Sequence, residues 1–207
     1  MAGTPTNDHP KAKRLPAAER RASILAAAAE EFTRVGFQRA RMADVADRLG
    51  VSEPVVFQNF GSKPALYAAV LEQAAEQLCD VLQAQLDAST SVRDLLAEIL
   101  APGHLDRMHS PGNPGVLFAD AVGLTSHPDV EDAARRAMRK VARVFTQLFE
   151  RGRTSGELSD QIDPATAAWT LLSFFASHGF RNAVMPNREH READLARVLL
   201  QTLTGTG

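Results

Sequence analysis

Apolar residues recur at spacings of three and four along most of the chain, which is the period of an amphipathic helix. The first such face is made of Ile24, Leu25, Ala28, Phe32 and Val35. This helix is predicted to start near Pro16 and to end at Gly36, which would adopt a left-handed conformation. Phe37 would then pack on Phe32, as in a Schellman motif.

The same periodicity predicts helices along the rest of the chain. Met42–Leu49 ends at Gly50, residues 52–60 follow with Ser52 as N-cap, and Ser62 caps a longer fourth helix. Further helices are predicted over residues 92–100, 116–124, 130–149, 164–184 and 188–203. Proline and glycine clusters separate them, and strand-like alternation is not evident. The sequence therefore predicts an all-α fold.

Composition restricts where such a protein works. The chain has 207 residues, a single cysteine (Cys79) and a formal net charge of -2. One cysteine rules out an internal disulfide framework and favours a reducing compartment. The longest uncharged stretch lies between Asp163 and Arg181 and carries several polar residues, which argues against a membrane span. With no leader-like pattern at the N-terminus, we expect a cytoplasmic protein.

The charge is unevenly distributed. Residues 1–63 carry ten Lys/Arg against seven Asp/Glu, whereas residues 64–207 carry thirteen against eighteen. The polar, proline-containing segment 1–15 is predicted to be a disordered basic arm with Lys11, Lys13 and Arg14 at its end. The net charge of -2 therefore does not exclude an anionic partner for the first part of the chain.

A helix-turn-helix is predicted within residues 16–63. Such a motif needs a small residue where its helices cross, a residue that accepts positive φ in the turn, and an apolar residue after it. Ala46, Gly50 and Val51 meet these requirements in this order. Ala-Gly turns also join helices in ordinary bundles, so the spacing alone leaves that alternative open.

The surrounding residues add a longer pattern. It consists of Phe32…Gly36-Phe37, Val45-Ala46, Gly50-Val51-Ser52, Phe57-Gln58-Asn59-Phe60 and Lys63-Pro64-Ala65-Leu66. In this pattern, residues 20–67 resemble the N-terminal domain of TetR-family transcriptional repressors. The resemblance implies a homodimer that places helix 52–60 of each protomer in a major groove of double-stranded DNA, at two half-sites of a palindromic operator.

The resemblance also implies which residues contact DNA. Transferred by position, the residues facing DNA are Ser52, Glu53, Val55, Phe57, Gln58 and Asn59, with Lys63 on a phosphate. Val55 and Phe57 stand where the family usually has hydroxyl-bearing Thr and Tyr, and each lost phosphate bond costs about 1 kcal/mol. We expect Arg39, Arg41 and the arm to offset this loss, so affinity should fall steeply as salt rises. Phe60 is expected in the core.

Residues 64–207 are predicted to be a helical body for ligand binding and dimerisation. In the family such a body binds a small-molecule effector that releases the repressor from DNA. Candidate pocket residues are Leu78, Leu82, His104, Met108, Phe118, Phe145, Trp169, Phe175 and His178. Candidate dimer residues, on helices 130–149 and 164–184, are Val141, Phe145, Leu148, Phe174 and Phe175. A fully buried helix 164–184 in a monomer is the alternative.

Two other functions are alternatives to a DNA-binding regulator. The common hydrolase, dinucleotide and P-loop motifs do not occur, so an enzyme is not expected. His104 and His109 lack the four-residue spacing of ligands on one helical face, and neither a metal nor another cofactor is expected. A helical dimeric ligand-binding or scaffold protein with weakened or no specific DNA readout is the remaining alternative.

Overall fold

The computed structural model describes residues 16–124 and 126–205, and within them the regular structure is entirely helical. The eleven helices are α1 (Ala17–Arg39), α2 (Met42–Leu49), α3 (Glu53–Phe60), α4 (Lys63–Ala88), α5 (Val92–Leu100), α6 (Pro102–Met108), α7 (Gly115–Val122), α8 (Pro128–Thr154), α9 (Pro164–Ala176), α10 (His178–Val184) and α11 (Arg188–Thr204). The all-α prediction is confirmed. The predicted basic arm, residues 1–15, lies outside the described residues.

Local chemistry explains where several helices begin. The side chains of Ser62, Ser91 and Asp163 each accept a hydrogen bond from a backbone N–H in the first turn of α4, α5 and α9. The predicted cap at Ser62 is thus confirmed. Ser52 precedes α3 as predicted, but its side chain makes no capping bond in this structure.

The turn between α2 and α3 has the geometry that the sequence predicts. Gly50 has φ 64° and ψ 30°, the left-handed conformation that glycine adopts without a steric cost. Its N–H donates to the carbonyl of Asp47, and the N–H of Val51 donates to that of Ala46. These two bonds form a Schellman motif that fixes the direction in which α3 leaves the turn.

Two hydrophobic cores form, and α4 contributes to both. We call α1–α3 the helix-turn-helix unit and α4–α11 the body. The core of the unit is completed by the first half of α4, including Leu66 and Tyr67, and by Leu117 and Ala121 of α7. The second half of α4 packs in the body core with α5, α8, α9 and α11. The predicted domain boundary at residue 63 therefore separates two regions that share a helix.

Two segments are divided into helices differently from the prediction, beyond small shifts at other helix ends. The predicted helix 164–184 is broken into α9 and α10, because the guanidinium of Arg181 and the hydroxyl of Ser177 both donate to the carbonyl of Phe174. Helix α6 was not predicted, since Pro102-Gly103 was interpreted as a break. Pro102 instead occupies the first turn of α6, where a missing N–H is tolerated.

A buried carboxylate joins α1 to α2. Glu31 is 1% exposed and accepts hydrogen bonds from Arg34 at 2.7 Å and from Arg48 of α2 at 3.1 Å. Burial raises the pKa of Glu31, but the hydrogen bonds and charges of the two arginines outweigh it and hold the pKa below its ordinary value of 4.5. The carboxylate is therefore charged in the folded protein at neutral pH.

We expect the Glu31→Gln substitution to lower the free energy of unfolding at pH 7 by about 1–2 kcal/mol, since both arginines are partly exposed and screened. A depressed carboxylate pKa stabilises the fold above 4.5 and loses that effect as the pH falls through the folded value. The difference between the two proteins should therefore shrink in acid, which urea unfolding at several pH values would measure.

The matched control is Glu30→Gln, because the exposed Glu30 pairs with the same Arg48. This variant should lose less than about 0.5 kcal/mol. Equal losses for the two variants, or a Glu31 effect that does not depend on pH, would contradict the assignment.

Candidate functional site

Helix α3 presents a mixed apolar and polar face to solvent. Ser52, Glu53, Phe57 and Gln58 are exposed, with 41% of Phe57 accessible, and Val55 is half-buried. The opposite face is anchored by Val56 and Phe60, which are 0% and 8% exposed. The prediction that Phe60 belongs to the core is confirmed.

Arg21 of α1 fixes the C-terminal end of α3. Its guanidinium lies 4.0 Å from the ring centroid of Phe60 and donates to the carbonyl of Asn59 at 2.6 Å. The side-chain amide of Asn59 donates to the carbonyl of Val55 at 2.7 Å. One donor of the predicted adenine-pairing residue Asn59 is therefore engaged within its own helix.

The predicted phosphate-binding residues lie at the end of α1, just before α2 and at the start of α4. Arg41 is exposed before α2, and Arg39, also exposed, donates to the carbonyl of Val35 at 3.0 Å. The ammonium of Lys63 donates to the carbonyl of Gln38 and lies 4.6 Å from the ring centroid of Phe37. Burial lowers the pKa of Lys63. Their contact with DNA stays a prediction.

The body contains a cavity of about 590 Å³ bounded by α4–α10. Eight of the nine predicted pocket residues line it, namely Leu78, Leu82, His104, Met108, Phe118, Phe145, Phe175 and His178. Trp169 does not, because it is on the outer face of α9 and is 48% exposed. Eight of the residues that the resemblance suggested thus lie on the cavity wall, whereas Trp169 faces outward, and contact of the eight with a ligand stays a prediction.

The predicted dimer residues on α8 are not available for an interface. Val141, Phe145 and Leu148 are between 1% and 3% exposed and pack in the protomer's own core. Phe174 and Phe175 are half-buried against the same core. Of the seven large exposed apolar side chains among the described residues, five lie instead on α9–α11, namely Trp169, Phe180, Val184, Leu195 and Val198. The apolar face of α8 packs in the protomer's own core. The prediction that α8 supplies dimer contacts through these three residues is therefore corrected.

Histidines are three of the six polar or charged residues in the cavity wall. His178 is 5% exposed and stacks on His109 with ring centroids 4.3 Å apart. Burial lowers the pKa of His178, and the neighbouring His109 lowers it further; burial also lowers the pKa of His104. Within the described residues, no three His, Cys, Asp or Glu side chains converge as a metal site would require.

Asp120 of α7 connects this wall to the helix-turn-helix unit. It lines the cavity, and its Oδ2 accepts a hydrogen bond from the backbone N–H of Phe37 at 2.9 Å. The predicted Schellman ending at Gly36 is therefore wrong, although Phe37 stacks on Phe32 as predicted, with ring centroids 6.3 Å apart. Gly36 has φ 77° and ψ 166°, and the N–H of Phe37 binds a carboxylate of the body rather than a carbonyl of α1.

Two further hydrogen bonds tie the region around α7 to the same place. The N–H of Gly112 donates to the carbonyl of Thr33 at 3.0 Å, and the buried hydroxyl of Tyr67 donates to the carbonyl of Leu117 at 2.7 Å. Burial, and then the charge of Asp120, raise the pKa of Tyr67 far above its ordinary range. Sequence reasoning missed Asp120, because its partner lies 83 positions away.

Fold and geometry together define a class: a helical protein with a helix-turn-helix unit at its N-terminus and a cavity in its body. Residues 24–70 match the family model of bacterial regulatory proteins, tetR family. The nucleoid occlusion factor SlmA of Marinobacter nauticus is 30% identical over 152 residues, which are 72% of this chain and 74% of that protein. The chain belongs to the tetR family of bacterial regulatory proteins.

Other relatives agree with this assignment. The HTH-type transcriptional activator FasR of Mycolicibacterium smegmatis is 40% identical over 92 residues, which are 44% of this chain and 42% of FasR. The match thus spans about two fifths of that protein's length. A TetR-family regulator from Agrobacterium tumefaciens superimposes with a TM-score of 0.74 at 17% identity, covering 91% of this chain and 100% of that one. At that identity the likeness concerns the fold.

FadR from Bacillus subtilis, solved in complex with stearoyl-CoA, has the same fold. It superimposes with a TM-score of 0.67 at 13% identity, covering 88% of this chain and 98% of that chain.

Within residues 16–124 and 126–205 of the present protein, the helices lack the combination of length and apolar character needed to cross a membrane.

The contact at Gly36 predicts a destabilising substitution. A Cβ added there would lie 2.8 Å from Oδ2 of Asp120, and φ is positive. We expect Gly36→Ala to lower the free energy of unfolding by about 2–4 kcal/mol, because it adds backbone strain and displaces the carboxylate from the N–H of Phe37. Thermal or urea unfolding measures this loss.

Gly156→Ala is the matched control, since Gly156 has φ 75° and a Cβ there would meet nothing within 4 Å. This control carries the positive-φ strain without the contact, so its loss should be about 1–2 kcal/mol. If Gly36→Ala costs no more than Gly156→Ala, the Asp120 contact contributes nothing to stability.

Proposed function

We propose that the protein is a transcriptional repressor that binds a palindromic operator as a homodimer and is released by a small-molecule effector. The observation that carries this proposal is the exposed face of α3, held by the Gly50 turn on one side and by Arg21 on the other. A short helix presented in this way fits a major groove. Membership in a family of bacterial regulatory proteins supports the same conclusion.

Within this function, the residues of α3 have separate roles. Gln58 pairs with an adenine edge, Glu53 accepts from a cytosine amine, and Val55 packs on a thymine methyl. Phe57 lies on the same exposed face, and Ser52 faces the DNA backbone. Arg39, Arg41 and Lys63 contact phosphates, which position the unit without reading sequence. Asn59 contributes through the amide atoms that its bond to Val55 leaves free.

The body has the second role, that of a sensor. A cavity of about 590 Å³ is within the usual size range of small-molecule sites. FadR is solved with stearoyl-CoA, which supports a body of this fold as a ligand-binding unit. We assign residues 16–63 to DNA binding, residues 64–207 to ligand binding and dimerisation, and residues 1–15 to a basic arm. On this proposal the protein has no catalytic step and works in the cytoplasm beside its DNA.

Dimerisation uses the exposed apolar side chains of α9–α11 rather than α8. Trp169, Phe180, Val184, Leu195 and Val198 are each at least 38% exposed. Large apolar side chains gathered on neighbouring helices mark an association surface rather than a random surface composition. Two copies of such a surface, related by a two-fold axis, would cover each other.

The operator is tested by a gel shift with the DNA that flanks the protein's own coding region, in the presence of heparin. A repressor gives one discrete shift, and its affinity should fall steeply as salt rises. Gln58→Ala should lower operator affinity by about 1–3 kcal/mol and relax specificity at one base pair. Gln77→Ala, an exposed glutamine of α4, is the control and should bind like wild type.

A smear that heparin abolishes, with no preferred fragment, would exclude specific repression. It would favour the helical ligand-binding or scaffold protein that the sequence left open. A salt dependence near zero would show that the basic residues are not the anchors.

The dimer surface is tested by Phe180→Asp, because Phe180 is 69% exposed on α10. A buried, unpaired carboxylate at the interface should shift the protein from dimer to monomer in light scattering and sedimentation. Phe57→Asp is the matched control, an exposed aromatic of α3 that should leave the dimer intact while abolishing operator binding. If Phe180→Asp still forms dimers at the wild-type concentration, this face is not the interface.

A further inference from the structure

The charged side chains of the cavity wall are all of one sign, negative. Within the described residues its lining contains one carboxylate, Asp120, and neither a lysine nor an arginine. Arg181 and Arg188 are paired with Glu192 and Asp106, and Arg107 is close enough to His104 to lower its pKa, but none of the three lines the cavity. An anionic ligand group beside Asp120 would therefore meet a like charge without a compensating lysine or arginine in the wall.

The histidines of the wall do not reverse this polarity. Burial lowers the pKa of His104 and of the 5% exposed His178, which favours their neutral forms at pH 7. His178 sits 3.5 Å from the carboxylate of Asp106, with His109, Arg188 and Glu192 also nearby. The remaining wall is mainly aliphatic and aromatic.

The aromatic rings of the cavity wall also favour a ligand with a positive charge. Phe118, Phe145 and Phe175 line the same cavity as Asp120. The face of an aromatic ring attracts a cation, and a carboxylate in a partly desolvated site does so more strongly. One carboxylate with several rings and no basic residue is therefore complementary to an apolar molecule that bears a single positive charge.

Resting on the proposed function, we propose that the effector is a lipophilic amine whose ammonium group pairs with Asp120 and competes with the N–H of Phe37 for its carboxylate. Oδ2 of Asp120 holds that N–H at 2.9 Å, and no ion pair to Asp120 exists among the described residues. An ammonium donor is charged, so its hydrogen bond to a carboxylate is stronger than that of a neutral amide.

This pairing gives the ligand a route to the helix-turn-helix unit. The carboxylate that would receive the amine is also the group that fixes the backbone after Gly36. A ligand shifts an equilibrium only by interacting differently with its two states. Pairing with the amine favours a state in which Asp120 releases Phe37, and the end of α1 is then held only by its remaining contacts with the body.

The test compares dodecylamine, dodecanol and dodecanoate, which share one alkyl chain and differ in charge. Below their micelle concentrations, each is titrated against the protein loaded with the neutral fluorophore Nile red, without DNA. The amine is protonated at pH 7, as a lysine is. We expect it to bind at least about tenfold more tightly than the carboxylate, with the alcohol between them.

Two asparagine variants locate the charge that matters. Asp120→Asn should remove the preference for the amine, a loss of about tenfold, while alcohol binding changes less. Asp80→Asn removes an exposed carboxylate of α4 that is not in the wall and should keep the preference. In a second measurement, dodecylamine should release operator DNA from wild type and from Asp80→Asn at lower concentration than from Asp120→Asn.

Several outcomes would overturn the inference: a carboxylate that binds as tightly as the amine, a preference that persists in Asp120→Asn, or no displacement by any of the three. The ranking of head groups in the unaltered protein needs no variant, so a variant that fails to fold does not remove the test. Because Nile red displacement uses no DNA, a failed operator shift refutes the proposed repressor and leaves the ligand ranking as it was measured.

Discussion

Helix α4 is the physical constraint on which the rest of the structure depends, because it is part of both hydrophobic cores. Leu66 and Tyr67 near its start are 0% exposed in the core of the helix-turn-helix unit. Leu82 and Leu86 near its end pack in the core of the body. A close-packed interior transmits displacement rather than absorbing it, so the body cannot move α4 without moving the unit.

The second attachment between the body and the unit lies in and just before α7, and it includes hydrogen bonds. Asp120, Gly112 and Leu117 connect to α1 and α4 through three hydrogen bonds, each of which contributes only a small net free energy. The α4 attachment is extensive and apolar, whereas the α7 attachment combines the buried Leu117 and Ala121 with these three polar bonds, which can be exchanged for other partners. Two such attachments allow the unit to pivot about α4 when the bonds at α7 change.

Local chemistry made part of this architecture predictable from sequence. The Gly50 turn follows from neighbouring residues, and the helical fold follows from the spacing of apolar residues. The Asp120–Phe37 bond joins positions far apart in the chain, so no local pattern contains it. Similarly, the break after α9 depends on Arg181 reaching back to the carbonyl of Phe174. Periodicity identifies an apolar face, as on α8, but does not tell a core face from an interface.

On the proposed function, the division of charge between α3 and its surroundings would let a chain of net charge -2 recognise DNA. Helix α3, Glu53–Phe60, contains neither lysine nor arginine, while Arg39, Arg41 and Lys63 flank it. Phosphate contacts supply most nonspecific affinity, and base contacts supply the discrimination. In the proposed complex the two are carried by different residues, so a change that tilts the unit would remove the cations from their phosphates even when α3 itself is unaltered. The proposed release from DNA would therefore require only a rotation of the unit and not a rearrangement of α3.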